Sequence, residues 1–455
     1  MSPSTNGQGR HRAVRTPVFS GRAGWNAILP ALTPRPALGG AIGCDVIIVG
    51  AGFAGLAAAR RLHQLDPQLD VVLLDASTIA EGGTGRNSGF MIDLPHVLTS
   101  GDYAGSGESQ DRQLTRLNRH AIAFAAEAVD DYAIAPGYFR RIGKINAAAS
   151  PAGLVANESY ARHLQELGEA HEVLDAAAMR RVTGSTYYHN GLFTPGTVMI
   201  QPAGYVRGLA QGLERGGVRI FENSPVVNID AVSAGWQAQT SQGSVTAPRL
   251  ILANNGHLES FGFRRGQLMH VMLNACMTAE LDPDTLRALG GEVEWGATPA
   301  DPMGTTVRRI GPDQGGNRIV IRQGSYYRPE MQTSARDMTR IVAKMRQKFE
   351  ARFPMLKHVG FEHSWSGHLC LSRNNVSVMR ELEPGLFAAC VDNGLGTTRS
   401  TLTGIGAAEL ACGATSDVTR FFGAEAEPSR LPPHPFDTIG ANAYLRWKEW
   451  RTRLE

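Results

Sequence analysis

The stretch that most constrains the fold of this 455-residue chain is residues 44–75, CDVIIVGAGFAGLAAARRLHQLDPQLDVVLLD. Asp45-Val46-Ile47-Ile48-Val49 is a short β-branched run of the kind that fills the centre of a parallel sheet. Gly50-Ala51-Gly52-Phe53-Ala54-Gly55 then supplies G-x-G-x-x-G. Its first glycine permits a tight turn, the second lets a pyrophosphate approach the backbone, and the third lets helix pack on strand. A helix over residues 56–65 turns its N-terminal amides and positive dipole end toward the phosphates. Val71-Val72-Leu73-Leu74 is a second strand, and Asp75 stands 20 residues after Gly55, where a carboxylate can accept both ribose hydroxyls of an adenosine and repel a 2′-phosphate. Strand, glycine turn, helix, strand and acid together predict a dinucleotide-binding βαβ unit. The unit alone does not separate NAD from FAD.

Composition sets outer limits. With 42% hydrophobic and 19% charged residues the chain is ordinary globular protein, long enough for two or three domains. The net charge of +3 is concentrated in residues 1–43, where Arg10, Arg12, Arg15, Arg22 and Arg35 meet no acid, so the remainder is slightly acidic and nucleic acid is not an expected partner. No apolar run is long enough for a membrane span. Cys44, Cys276, Cys370, Cys390 and Cys412 are scattered without C-x-x-C spacing, which fits a reducing, cytoplasmic setting and no structural metal. Residues 1–43 lack a secretory apolar core and read as an extended arm on the surface.

A second glycine-rich loop follows the βαβ unit: Gly82-Gly83-Thr84-Gly85-Arg86-Asn87-Ser88-Gly89. The pairing of the two resembles the FAD-dependent amine and amino-acid oxidases of the D-amino-acid oxidase and sarcosine oxidase superfamily, especially relatives of glycine oxidase and gamma-glutamylputrescine oxidase. By that resemblance the loop runs beneath the pyrophosphate and the isoalloxazine edge, with Arg86, Asn87 and Ser88 at the flavin half and Ala76 beside Asp75 at the adenosine half. Ser224-Pro225-Val226 resembles the segment whose backbone faces the adenine, which nominates Val226. Gly394-Leu395-Gly396-Thr397, ahead of a helix at about residues 400–412, resembles the C-terminal motif whose helix amides face the flavin. The usual G-x-S-G-H-G is replaced by G-L-G-T-T-R.

The resemblance implies an α/β chain, a Rossmann-like FAD-binding domain with an interleaved antiparallel-sheet substrate domain of α+β type. Residues 44–100, 205–260 and 361–424 are assigned to the FAD-binding domain and 101–204 and 261–360 to the substrate-binding domain, with 1–43 as the arm and 425–455 as a C-terminal tail outside the resemblance. Within the substrate domain, residues 317–321 read as a strand, 323–329 as a polar aromatic turn, and 335–353 as a basic amphipathic helix.

The implied reaction removes a hydride equivalent from the carbon beside an amine nitrogen, delivers it to flavin N5, and leaves an imine that hydrolyses while oxygen is reduced to hydrogen peroxide. Sarcosine oxidase relatives carry an oxygen-activating lysine and a substrate histidine on the strand above the flavin. The resemblance places Arg322 and Tyr326 at those positions. Arg328 is a candidate carboxylate clamp, Tyr326 or Tyr327 a candidate hydroxyl or aromatic face for the amine, and Asp93 and His96 candidates to anchor a distant ammonium. Cys370 reads as a small buried hydrophobe rather than a flavin attachment point, so FAD is expected to be non-covalent. An FAD dehydrogenase using another electron acceptor and an NAD-dependent Rossmann reductase stand as alternatives. Substrate identity and oligomeric state are silent in the sequence.

Overall fold

A computed structural model describes residues 9–95, 107–301 and 303–455. Its organising layer is a six-stranded sheet in the order Arg219–Phe221, Val71–Leu74, Val46–Val49, Arg249–Leu252, Leu386–Cys390, Val378–Glu383. The first five strands are mutually parallel, and Val378–Glu383 closes one edge antiparallel. Strand alternation divides the apolar run of the opening motif between two cores. Val46, Ile48, Val71 and Leu73 face a layer of helices. Ile47, Val49, Val72 and Leu74 face a second, five-stranded sheet through Ile229, Trp236 and Val245. Apolar burial on both faces is why these strands carry no polar alternation.

The helix Phe53–Leu65 starts directly on the glycine turn, three residues earlier than the apolar pattern suggests. A Cβ at Gly55 would collide with the Gly50 carbonyl, so the helix and turn can approach only with glycine there. The helix Gly396–Ala411 crosses it closely, with Gly404 set against the backbone of Ala54.

A larger mixed sheet stands beside this core: Phe361–Ser372, Leu268–Thr278, Arg318–Tyr327, Thr306–Ile310, Trp295–Pro299, Lys144–Ala148, Asn190–Thr194, Glu172–Asp175. All pairings are antiparallel except that of Trp295–Pro299 with Lys144–Ala148. The architecture is therefore α/β with a second, sheet-based layer woven from distant stretches, as the sequence led us to expect.

Several local expectations are revised. Phe361–Ser372 pairs along its whole length with Leu268–Thr278 and so lies in the large sheet, although position 361 was expected to open the last FAD-domain segment. Residues 1–43 do not simply coat the surface: Trp25 is fully buried, Arg10–Arg12 pairs with Asn228–Val232, and Gly40–Gly43 joins the five-stranded sheet. The expected turn at 323–329 is instead the end of the ten-residue strand Arg318–Tyr327. Gly324, at φ +80°, is the extra residue of a bulge between Gln323, opposite Asn274, and Ser325, opposite Leu273, which lets the strand continue. The last revision is the tail, where Phe436–Arg451 is a helix laid against that same strand.

Candidate active site

A cavity of about 910 Å³ opens at the carboxyl ends of the parallel strands, lined there by Val49, Gly50, Leu74, Asp75, Ala253 and Asn254. Ligands of open α/β sheets bind at this end, because strands stop there and helix N-termini begin. Gly50, Gly52, Phe53, Ala54, Ala76 and Val226 also line it, while Ala51 and Gly55 support it from behind. Asp75 is fixed by two backbone donors: Ala51 N–H to Oδ2 at 2.8 Å and Ser77 N–H to Oδ1 at 2.9 Å. Burial nonetheless raises its pKa, outweighing those amides, with nearby Glu222 adding to the effect. Hydroxyl donors from a ribose would relieve that cost.

The second loop forms the middle of the wall, with Arg86, Asn87 and Ser88 lining it. Its backbone is held from several directions. Trp25 Nε1 donates to Asn87 O at 2.8 Å and Trp365 Nε1 to Arg86 O at 3.0 Å. Arg308, stacked on Trp25 with its guanidinium carbon 5.0 Å from the ring centroid, donates to Gly89 O at 3.1 Å and to Gln314 Oε1 at 2.5 Å. Burial pushes Arg308 down to about 9, so it remains charged at neutral pH. The Arg86 guanidinium is itself spent on carbonyls, reaching Glu81 O at 2.7 Å and Gly21 O at 2.6 Å. Arg86 therefore braces loop against arm. No motif marked Trp25 or Arg308, since they meet the loop only through the fold.

Gly394, Leu395, Gly396 and Thr397 bring the start of the helix Gly396–Ala411 to the cavity. The turn that aims it is strained, with β-branched Val391 at φ +69° and Asn393 at φ +47°. Thr397 Oγ1 donates to Phe90 O at 2.6 Å, joining this helix to the second loop. Asp392 also lines the wall, and burial pushes its carboxyl up to about 6 despite donors from Gly394 N–H and Asn255 Nδ2. His257 and His368 line the wall as well. Burial, and then the neighbouring His270, lower both, His257 to about 4 and His368 well below the usual imidazole range, so both are neutral at physiological pH. His368 Nε2 is 3.1 Å from His270 Nδ1, and His270 Nε2 is 2.6 Å from Glu259 Oε2. Sequence reasoning missed this series and Asp392, because their carriers are far apart in the chain.

Beyond the helix start, the large sheet closes the cavity with Asn274, Thr298, Thr306, Arg322, Ser325 and Tyr327. The bulge at Gly324 decides which residues these are. Strict alternation from Arg322 would bring Tyr326 to the cavity; the extra residue reverses the phase and brings Ser325 and Tyr327 instead. Tyr326 lies on the opposite face, 4.0 Å under the Arg446 guanidinium and 5.6 Å from that of Arg328. Arg322 donates to Thr306 Oγ1 at 2.9 Å. Arg328 is outside the lining and pairs with Asp337 at 3.1 Å and Glu330 at 3.9 Å. Asp93 is likewise outside it, buried with Arg119 at 3.1 Å and Thr197 at 3.5 Å. His96 falls outside the described residues. Cys370 is wholly buried, its thiol pushed far up by burial, and packs in the core rather than on the wall.

The C-terminal helix contributes the last piece of wall, with Phe436, Asp437, Tyr444, Leu445 and Lys448. It is seated by Tyr327, whose hydroxyl donates to Asp437 Oδ2 at 2.9 Å and whose backbone exchanges 3.1 Å bonds with the Asn442 amide.

This cavity suits a long dinucleotide bearing a planar ring. It has an acid at one end, open amides and glycines in the middle, and a helix start beyond. Asn254 Nδ2, on the wall, is buried with no partner of its own.

Comparison with known proteins agrees. A family model described as "DAO: FAD dependent oxidoreductase" matches residues 45–410. The gamma-glutamylputrescine oxidoreductase of Escherichia coli is 27% identical over 417 residues, covering 89% of this chain and 90% of that protein. A probable oxidoreductase OrdL of Rhizobium meliloti is 25% identical over 415 residues, covering 89% and 91%. Among solved structures, glycine oxidase from Geobacillus kaustophilus shares the fold with a TM-score of 0.67 at 19% identity, covering 82% of this chain and 96% of that one. The chain belongs to the DAO family of FAD-dependent oxidoreductases.

Proposed function

We propose that the protein oxidises a C–N bond of a small amine or amino acid, with oxygen as electron acceptor and hydrogen peroxide and an imine, later hydrolysed, as products. Bound FAD, held without a covalent link, supplies hydride acceptance at N5. This chain's residues supply position and charge. Asp75 and the amides around Gly50 and Gly52 would hold the adenosine and pyrophosphate, and the helix start at Gly396 and Thr397 would stabilise negative charge on the ring. Asn274, Ser325 and Tyr327 orient the substrate's C–H bond. The tail helix and the large sheet exclude water from the reacting carbon.

The observation that carries the oxidase reading is Arg322. Its guanidinium lies on the large sheet's part of the cavity wall, braced by Thr306. A fixed positive charge lowers the cost of placing an electron on oxygen. The E. coli relative, named for gamma-glutamylputrescine, places gamma-glutamyl amines beside N-methyl amines and amino acids among the compounds to try first. The free cysteines fit a cytoplasmic setting.

The test is an anaerobic titration of the purified holoprotein with those three classes, followed through the flavin band and then opened to air. Bleaching by one class with rapid recovery in air supports the oxidase. Bleaching that air does not reverse assigns a dehydrogenase instead, and a flavin that none of them bleaches removes amine oxidation altogether.

A further inference from the structure

The C-terminal helix also presents an exposed face, which meets the cavity only at its border residues Phe436 and Tyr444. Phe436, Ile439, Tyr444, Trp447, Trp450 and Leu454 are all substantially exposed, and among the described residues every exposed large aromatic side chain lies in this segment. From Phe436 to Trp450 a spacing of three to five residues keeps them on one side of the helix, with Leu454 just beyond its end. Charge is sorted with the same regularity. All three acids of residues 436–455 turn inward: Asp437 accepts from Tyr327 at 2.9 Å, Glu449 takes Lys344 at 2.8 Å and Arg446 at 2.6 Å, and Glu455 takes Ser150 at 2.5 Å. Arg451 and Arg453 stay exposed, lying 5.1 Å and 5.0 Å from the ring centroids of Trp447 and Trp450. The neighbouring helix Ala335–Arg352, reached through Lys344, adds exposed Arg336 and Arg340.

We propose that this face docks on an anionic lipid surface, with the two tryptophans in the headgroup layer and the arginines beside them on lipid phosphates. Aromatic rings flanked by cations, with the acids withdrawn to the other side, are what an interfacial helix needs. A membrane also fits better than a second copy of the chain. Two-fold pairing through this face would bring two copies of the same cationic patch together, whereas an anionic leaflet attracts every arginine. No described helix is long and apolar enough to cross a membrane, so attachment is at the interface. Phe436, Tyr444 and Lys448 of the same helix line the cavity, so docking brings its wall close to the lipid.

The test is flotation of the holoprotein with vesicles of phosphatidylcholine alone and of equal parts phosphatidylcholine and phosphatidylglycerol, at low and high salt. The expected result is co-flotation with the anionic vesicles only, weakened by salt. Trp447→Ser with Trp450→Ser should abolish it. Arg451→Gln with Arg453→Gln should weaken it by about fivefold per residue and flatten the salt dependence. Flavin absorbance and melting temperature should be unchanged in both pairs, because the altered side chains are exposed. Failure of the wild type to float overturns the proposal, as does flotation that neither pair alters. Equal binding to both vesicles overturns the anionic assignment. A concentration-dependent dimer that the tryptophan pair dissolves, without flotation, gives the face to a second copy. These readouts do not involve turnover, so they stand apart from the choice of substrate and acceptor.

Discussion

The two ends of the cavity are made by different means. At the cofactor end the wall is shaped by glycines, Gly50 and Gly52 in the βαβ stretch, Gly82 and Gly83 in the second loop, and Gly394 and Gly396 at the helix start, which leave backbone open to a ligand. At the reaction end it is mostly side chains, contributed by Asn274, Arg322, Tyr327 and Tyr444 from separated strands and a helix near the C-terminus. A backbone wall tolerates few substitutions and admits one class of ligand. A side-chain wall can be re-cut residue by residue while the cofactor stays in place. On the proposed function, cofactor class is set at the first end and substrate choice at the other.

That contrast can be broken most severely at Gly52. A Cβ there would sit 2.7 Å from Thr84 Oγ1, in the path of the pyrophosphate. Gly52→Val is expected to reduce FAD affinity by about a hundredfold or more, equivalent to about 3 kcal/mol, measured by flavin absorbance of the purified protein and calorimetry of the apoprotein. Full flavin occupancy would disprove the cofactor assignment. Gly324→Val attacks the other end. A β-branched residue disfavours φ +80°; if position 324 joins the regular ladder, Tyr326 turns to the cavity and Tyr327 turns out, and misplaced contacts should lower kcat/KM by about a hundredfold while flavin occupancy is retained. Joint loss of both would show that the two ends are not separable.

Arg322→Met sharpens the comparison within the reaction end. We expect flavin reoxidation to slow by about tenfold with reduction by substrate little changed, read by stopped-flow absorbance in separate half-reactions. An unaltered oxygen rate would release Arg322 from that role. Asp392→Asn is expected to have the mildest effect, and it is a pH effect. Because burial raises this carboxyl to about 6 in the folded protein, its ionisation is less costly in the unfolded chain. Its contribution to stability is fully present below the ordinary carboxylate range near pH 4 and is lost as the pH rises through about 6. Melting curves of the apoprotein across that interval should slope downward in the wild type and flatten in the variant.

The cofactor end was legible because its chemistry is local. The turn, helix, two strands and Asp75 fall within 32 consecutive residues, and each residue's job is fixed by neighbours in the chain. The reaction end was legible only in part. Arg322 and Tyr327 could be nominated from one stretch, but a single glycine at φ +80° decided that Tyr327 rather than Tyr326 meets the cavity. Bulges are set by the partner strand, here at Leu273 and Asn274, some 50 positions away. The burial of Asp392 and the His257, His270, His368 series depends likewise on how distant strands come together. Asp93 and Arg328 looked available because their partners, Arg119 and Asp337, are chosen by the fold.

The seating of the helix Phe436–Arg451 against the bulged strand also carries a temporal consequence. Ribosomal synthesis delivers Gly50 through Thr397, and with them everything that lines the cofactor end, before it delivers the helix that completes the reaction end. While residues 436–451 are still being made, the growing chain already contains a full set of dinucleotide contacts and an unfinished chamber. Construction of the cofactor site thus runs ahead of construction of the site that would consume substrate, and the later-made helix at residues 436–451 acts as the keystone of the chamber.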